Sequence, residues 1–355
     1  MKGNEAIAEA AVRAGCRFFA GYPITPQNEI PEYMARRLPE VSGHFVQGES
    51  EIASVNMVYG AAAAGVRAMT SSSSPGISLK SEGISYLAGA ELPAVIVNVT
   101  RGGPGLGSIQ AAQMDYLQAA KASGHGGFRM LVYAPATVQE AVDLTYAAFD
   151  LADRDRNPVL ILADGVIGTM MEPVVLPEMK SPEEIAAIQA GKRSWACVGH
   201  RLDYANRAWI RPGQWSTAKM QQVNEEAAAL YASWEKDAKV EEYRLDDAQV
   251  VLTAYGISAR ICKSAVDRLR SQGVKAGLIR PITVHPFPFA AYDRLDYGRV
   301  TAVVDVEMSI PAQMVDDVRA AVKDRCPVET CLCSGGNIMS RDAVIGAVNA
   351  VMEGN

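Results

Sequence analysis

From the first residue to about residue 165, short apolar runs alternate with longer stretches whose apolar positions recur every three or four residues. The runs predict strands at Arg17–Ala20, Gly43–Val46, Arg67–Ser71, Pro93–Val99, Arg129–Val132 and Pro158–Ala163. The periodic stretches predict helices at Asn4–Ala14, Pro26–Arg37, Ser50–Ala64, Gly76–Ala88, Gln110–Ala122 and Thr137–Asp153. Asn4 ahead of Glu5, and Thr137 ahead of Gln139 and Glu140, put capping oxygens at helix starts. Such alternation predicts an α/β fold with a doubly wound parallel sheet, whose ligands sit in the loops after the strands' carboxyl ends.

The rhythm breaks between about residues 176 and 248, where charged and small residues dominate and all four tryptophans fall, Trp195, Trp209, Trp215 and Trp234. This stretch reads as a connecting region, packed either on a partner or on its own chain. Alternation then resumes, with strands expected at Val250–Ala254, Lys275–Ile279, Val300–Val306 and Val328–Cys331. Helices are expected at Ser258–Gln272, Ala312–Asp324 and Ser340–Val351. The division is therefore a first domain over 1–175, a connector over 176–248 and a smaller α/β domain over 249–355.

At 355 residues, two cores are the natural expectation. The apolar fraction of 49% and charged fraction of 21% exclude a disordered chain. A net charge of −6 without a basic, aromatic-laced stripe argues against nucleic acid. No apolar run approaches the roughly 18 residues that span a bilayer, and the amphipathic beginning is unlike a signal peptide. A cytoplasmic protein is expected. Its six cysteines contain no Cys-x-x-Cys pair, and Cys331 and Cys333 alternate on an expected strand as small hydrophobes, so no metal centre is predicted.

Three loops after expected strands hold candidate chemistry. In Gly21-Tyr22-Pro23-Ile24-Thr25-Pro26 the prolines stiffen the backbone; Thr25 either caps the next helix, with Pro26 in its first turn, or offers its hydroxyl to a ligand. In Gln47-Gly48-Glu49-Ser50-Glu51 the two carboxylates, two residues apart, cannot share a helix face. Either they are ordinary first-turn charges, or one points inward as a partly buried proton carrier. Thr100-Arg101-Gly102-Gly103-Pro104-Gly105-Leu106-Gly107 fits neither a dinucleotide nor a Walker loop; Arg101 there suits a carboxylate ligand or an ordinary salt bridge. Weaker signals are the serine run Ser71–Ser74, His125 in a glycine-rich loop, and Asp164 in Ala163-Asp164-Gly165, which caps a turn more often than it binds metal.

Tyr22-Pro23-Ile24-Thr25-Pro26, Glu49-Ser50-Glu51, Thr70–Gly76 and Arg101-Gly102-Gly103-Pro104, in that order, resemble the α-type, pyrimidine-binding subunit of 2-oxoacid:ferredoxin oxidoreductases. The likeness is greatest to the ketoisovalerate (3-methyl-2-oxobutanoate) type, through MKGNEAIAEA and GISYLAGAELPAVIVNV. It implies a thiamine diphosphate-binding, pyrimidine-type sheet followed by a transketolase C-terminal-like domain. Glu51 would be the glutamate that hydrogen-bonds N1′ of the pyrimidine, Arg101 the partner of the substrate carboxylate, and Thr25 a substrate contact. Tyr22, Pro23, Ile24 and Ser74 would line the cofactor.

The resemblance also implies what must come from elsewhere. The Mg²⁺–diphosphate motif, Gly-Asp-Gly followed downstream by Asn, is missing, since no suitable Asn follows Asp164. Mg²⁺ and a [4Fe-4S] cluster are therefore expected in partner subunits, a β-type chain first and γ- or δ-type chains besides, with coenzyme A as acyl acceptor and ferredoxin as electron acceptor. The competing readings are the same chemistry on 2-oxoglutarate or pyruvate, a non-catalytic assembly subunit, and a dinucleotide-binding dehydrogenase.

Overall fold

The computed structural model describes residues 1–121, 123–199 and 208–354; residues 200–207 of the connector and residue 122 of the expected helix Gln110–Ala122 lie outside the described residues. The chain begins on the helix Gly3–Arg13, one residue before Asn4, and Lys2 occupies the capping position. Asn4 therefore lies inside the first turn, with its side chain wholly buried. Its Nδ2 donates to the Pro26 carbonyl (2.7 Å) and to Glu29 Oε2 (2.8 Å), tying the Tyr22–Pro26 loop to this helix. Thr137 does cap its helix, accepting from Glu140 N at 3.0 Å.

Among the described residues six strands lie parallel in the first sheet: β1 (Phe18–Gly21), β2 (His44–Gln47), β3 (Ala68–Ser72), β4 (Val95–Gly102) and, after the antiparallel β5 (Ser108–Ala111), β6 (Leu131–Tyr133) and β7 (Val159–Asp164). Their order across the sheet is β7-β4-β3-β1-β2, with β6 beyond β7. Strands β3, β4 and β7 are buried along their whole length, and β4 and β7 accordingly open on apolar runs, Val95–Val97 and Val159–Ala163, rather than alternating. The parallel order brings the carboxyl ends of β1, β2, β3 and β4, and with them all three candidate loops, to one edge.

The expected helix Gln110–Ala122 is not formed. In its place β5 folds back antiparallel on β4, and a short helix, Tyr116–Ala120, follows. The intervening glycines make the reversal: Gly105 and Gly107 take φ of +68° and +62°, and a side chain at Gly107 would overlap the Gly102 carbonyl. The helix expected from Pro26 starts instead at Glu29, so Thr25 is not its cap; residue 28 holds that position.

A second sheet runs in the order β13-β12-β9-β10-β8, with β8 at Val240–Tyr243, β9 at Val250–Thr253, β10 at Ala276–Pro281, β12 at Ala302–Glu307 and β13 at Val328–Leu332. Between β10 and β12, β11 (Thr283–His285) pairs antiparallel with β6 and so joins the first sheet. Of the connector, the helices Pro182–Gly191 and Thr217–Ser233 bury no residue, Trp195 lies under the Arg156 guanidinium, and Trp209 and Trp215 are exposed. Among the described residues no helix is long and apolar enough to cross a membrane.

The two sheets are joined by buried polar contacts. Gln113 donates from Nε2 to the Tyr255 carbonyl (2.8 Å), while its Oε1 accepts from Ser258 Oγ (2.7 Å) and Met308 N (3.1 Å). Tyr116 donates to Asp317 Oδ2 at 2.6 Å. Each contact satisfies a group that would otherwise cost a desolvation penalty, so the second sheet braces the segment that follows β5.

Candidate functional site

Glu51 is the first residue of the helix Glu51–Ala63, which starts where β2 ends because Ser50 caps it, accepting from Ala53 N at 3.1 Å. The capped turn carries Glu51 inward, to 6% exposure, and leaves Glu49 exposed. The Glu51 carboxylate accepts no hydrogen bond among the described residues. It rests against Gly76, where a Cβ would come within 2.9 Å of Oε1 and 3.1 Å of Cγ and would overlap Ser72 Oγ. The hydroxyls of Ser72 and Ser73, at the end of β3, are buried without partners.

The next helix, Pro75–Gly89, starts at the end of β3. Ser74 precedes it with φ of +28°, a strained conformation for a residue with a side chain. Its N–H donates to Asn98 Oδ1 (3.0 Å), and its Oγ accepts from Arg101 N (3.0 Å) and donates to Arg101 O (3.2 Å). Asn98 in turn donates to Asp115 Oδ2 at 2.8 Å, and burial pushes the Asp115 carboxyl above the usual range.

Arg101, at the end of β4, is buried to 5% exposure. Its Nη1 donates to the Thr25 carbonyl (3.0 Å) and its Nη2 to the Leu106 carbonyl (3.1 Å), while Nε has no partner. Thr25 and Arg101 are thus brought together, through the threonine backbone; the Thr25 side chain is exposed, as are Tyr22 and Pro23, and Ile24 is half-buried. Beside Arg101 opens a cleft of about 450 Å³ walled by Ser74, Ser78, Gly102–Gly105, Asp115 and Gln118, with Gln313 reaching in from the second domain.

Lys80 was not among the expected site residues. It lies on the helix Pro75–Gly89 with no exposure, donating to Thr70 Oγ1 at 2.9 Å and to the Glu51 carbonyl at 3.5 Å. Burial pushes its amine down to about 7, against the pull of the Glu51 charge. The sequence did carry a signal. Ile77, Lys80, Ile84 and Leu87 follow the spacing of one buried helix face, and a lysine on such a stripe is a charge without water.

Two weaker candidates fall away. His125 is exposed in its loop, where its carbonyl accepts from Ser85 Oγ. Asp164 is committed to structure: Oδ1 accepts from Val166 N and Ile167 N, each at 3.1 Å, and Oδ2 from Ile257 N at 2.8 Å. Its carboxyl is pushed up to about 6 by burial, with those three donors opposing. Among the described residues no three His, Cys, Asp or Glu side chains are grouped to hold a metal ion.

A Glu51 carboxylate with no donor among the described residues, at the same sheet edge as Arg101, fits a donor-bearing ring such as the aminopyrimidine of thiamine diphosphate.

Comparison with known proteins agrees with that fit. Residues 9–241 match the family described as pyruvate flavodoxin/ferredoxin oxidoreductase, thiamine diphosphate-binding, and residues 248–344 match pyruvate:ferredoxin oxidoreductase core domain II. The chain is 47% identical to the ketoisovalerate oxidoreductase subunit VorB of Methanothermobacter marburgensis, over 99% of this chain and 97% of that one. It is 37% identical to the 2-oxoglutarate synthase subunit KorA of Methanocaldococcus jannaschii, over 87% and 88% of the two chains. Among solved structures, the 2-oxoglutarate:ferredoxin oxidoreductase of Magnetococcus marinus, with 2-oxoglutarate, coenzyme A and succinyl-CoA bound, superposes with a TM-score of 0.84 at 25% identity. That match covers 99% of this chain, which spans 65% of the length of that one. A split-gene transketolase in an inactive tetramer shares the fold, at a TM-score of 0.62 and 16% identity over 99% and 98% of the two chains. The chain belongs to the family of 2-oxoacid:ferredoxin oxidoreductase subunits, and its first part is the family's thiamine diphosphate-binding domain.

Proposed function

We propose that this chain supplies the pyrimidine-binding half of a thiamine diphosphate site in a complex of unlike subunits that converts a 2-oxoacid and coenzyme A to an acyl-coenzyme A and CO₂. The observation that carries the reading is the buried Glu51 side chain, whose carboxylate accepts nothing from the described residues and shares a sheet edge with Arg101. With no donor among the described residues, the Glu51 oxygens are left free for a donor from outside. N1′ of the aminopyrimidine, when protonated, is such a donor.

When bound, the cofactor supplies a carbon nucleophile and an electron sink. Glu51 holds the proton at N1′. Arg101, braced by the Thr25 and Leu106 carbonyls, supplies the positive charge that pairs with the substrate carboxylate. The carboxyl carbon leaves as CO₂, the acyl carbon gives up two electrons singly to ferredoxin, and a C–S bond to coenzyme A forms as the thiol loses its proton. Tyr22, Pro23, Ile24 and Ser74 line the cofactor, and the Thr25 side chain faces the substrate.

The substrate is branched, 3-methyl-2-oxobutanoate first, a choice supported by the 47% identity to ketoisovalerate oxidoreductase subunits. Mg²⁺, the diphosphate and a [4Fe-4S] cluster sit in a β-type partner and in γ- or δ-type chains, in the cytoplasm. Supporting this, Asp164 is already used three times over. Exposed Tyr22, Ile52 and Leu79 suit a covering subunit.

The test is an affinity pull-down of the chain from its host, assayed on a panel of 2-oxoacids with coenzyme A and a viologen dye. The expected result is a cluster-bearing partner and fastest dye reduction on 3-methyl-2-oxobutanoate, abolished by Glu51→Gln while the complex still assembles. A complex whose Glu51→Gln form turns over normally would make the chain an assembly subunit.

A further inference from the structure

Lys80 is buried completely, which few lysines are without a dedicated partner. Its ammonium reaches Thr70 Oγ1 at 2.9 Å, and the Thr70 hydroxyl spends its own proton on the Ala20 carbonyl at 2.7 Å. The threonine can therefore only accept from Lys80, which fixes the amine as the donor. The second contact, 3.5 Å to the Glu51 carbonyl, sets the amine under the first turn of the helix that carries the carboxylate. The charged group acting on Lys80 is Glu51; β3 and its own helix face it with Thr70 and apolar side chains. Gly83, pressed on Val55, lets the two helices approach closely enough for the pair to form.

We propose that Lys80 is a positioning residue for Glu51, the counter-charge that holds its carboxylate in the buried first turn with both oxygens left free for the cofactor. This deepens the function proposed above and rests on it. A hydrogen bond to the carboxylate from a nearer donor would hold Glu51 equally well but would occupy the oxygens the pyrimidine needs. A cation behind the backbone attracts the carboxylate without doing so. The attraction is present while the amine is protonated and fades as pH rises through about 7.

The test begins with the full chain carrying ¹³Cε-labelled lysine, the Lys80 resonance being assigned by its loss in Lys80→Met. Its midpoint is expected to fall by about one pH unit in Glu51→Gln, the scale on which a neighbouring opposite charge acts. An unmoved midpoint overturns the pairing. In the assembled complex, Lys80→Met and Lys80→Gln should each lower kcat about tenfold with an unchanged KM for the 2-oxoacid, and should lack the alkaline limb near pH 7 expected of the wild type. Glutamine keeps a donor for Thr70 without the charge, so its restoring full kcat would overturn the electrostatic role. Because the titration is read on the chain alone, an inert complex would sink the enzymatic reading, and the pairing would still be decided by the midpoint.

Discussion

Replacing Gly76 by alanine separates stability from catalysis at this site. In the first turn of a helix, Gly→Ala ordinarily stabilises by about 0.5–1 kcal/mol. Here the added methyl would overlap Ser72 Oγ and approach Glu51 Oε1 to 2.9 Å and Cγ to 3.1 Å. The serine has no partner to lose and can rotate away cheaply. The glutamate cannot: carbon contacts settle near 3.5–4.0 Å, so its carboxylate must retreat by roughly 0.5–1 Å. Overpacking costs about 1–3 kcal/mol, which the helix gain partly offsets, leaving a net loss of about 0–2 kcal/mol. A misplacement of that size at a catalytic group costs about 10²-fold in rate. Thermal unfolding of the chain should therefore move by only a few degrees, while 2-oxoacid-dependent dye reduction by the reconstituted complex falls about a hundredfold. Turnover within about twofold of wild type would show that the Glu51 carboxylate does not need the place the structure gives it.

Arg101→Ala should chiefly weaken 2-oxoacid binding, by about 2–5 kcal/mol; Arg101→Lys should recover only part of this, because one ammonium cannot brace both the Thr25 and Leu106 carbonyls, and unaltered kinetics in either would remove Arg101 from the site. The Lys80 amine titrates at about 7 folded against 10.5 unfolded, so the unfolded chain binds more protons between those values and stability rises with pH across them. At about 1.4 kcal/mol per pH unit the gain is up to ~5 kcal/mol, and denaturant midpoints should show it in the wild type but not in Lys80→Met; parallel curves would refute it. Gln113→Ala strands the Tyr255 carbonyl, Ser258 Oγ and Met308 N in a dry interface and should cost about 2–4 kcal/mol in calorimetry, a change below about 0.5 kcal/mol counting against the brace.

Strands β4 and β7 were legible because burial on both faces lets them open on plain apolar runs, and Thr137 because a capping hydroxyl acts within its own turn. What failed was set at long range. Gln110–Ala122 has a helix-compatible pattern, yet the left-handed glycines ahead of it reverse the chain onto β4, and Gln113 is claimed by the second domain. Asn4 looks like a cap by its neighbours, but its amide is taken by Pro26 and Glu29, more than twenty residues away. The site residues read from the resemblance do lie on one edge of the sheet, and of the two carboxylates left open by their spacing it is Glu51 that turns inward. Lys80 stood in plain view on an apolar stripe, and only the structure shows what its charge is held against.

What the second domain contributes to the candidate site follows from what it touches. The Arg101 side chain is held by two carbonyls from loops, Thr25 and Leu106, and loops alone set a guanidinium poorly. The Leu106 loop leads into β5 and then into the segment that carries Gln113, Asp115 and Tyr116. Gln113 and Tyr116 are anchored in the second domain, at Tyr255, Ser258, Met308 and Asp317. Gln313 extends that anchorage to the wall of the cleft, donating to the Met114 carbonyl at 2.7 Å and accepting from Leu117 N at 2.9 Å. Asp115, fixed between these anchors, meets Asn98, and Asn98 meets Ser74, whose hydroxyl closes on the Arg101 backbone. A chain of buried hydrogen bonds, bridged by the backbone from Gln113 to Asp115, thus runs from the second sheet to the arginine. A rigid wall of that kind fixes the Arg101 edge of the cleft from within the chain, so that the loops carrying Thr25 and Leu106 need not set the guanidinium alone.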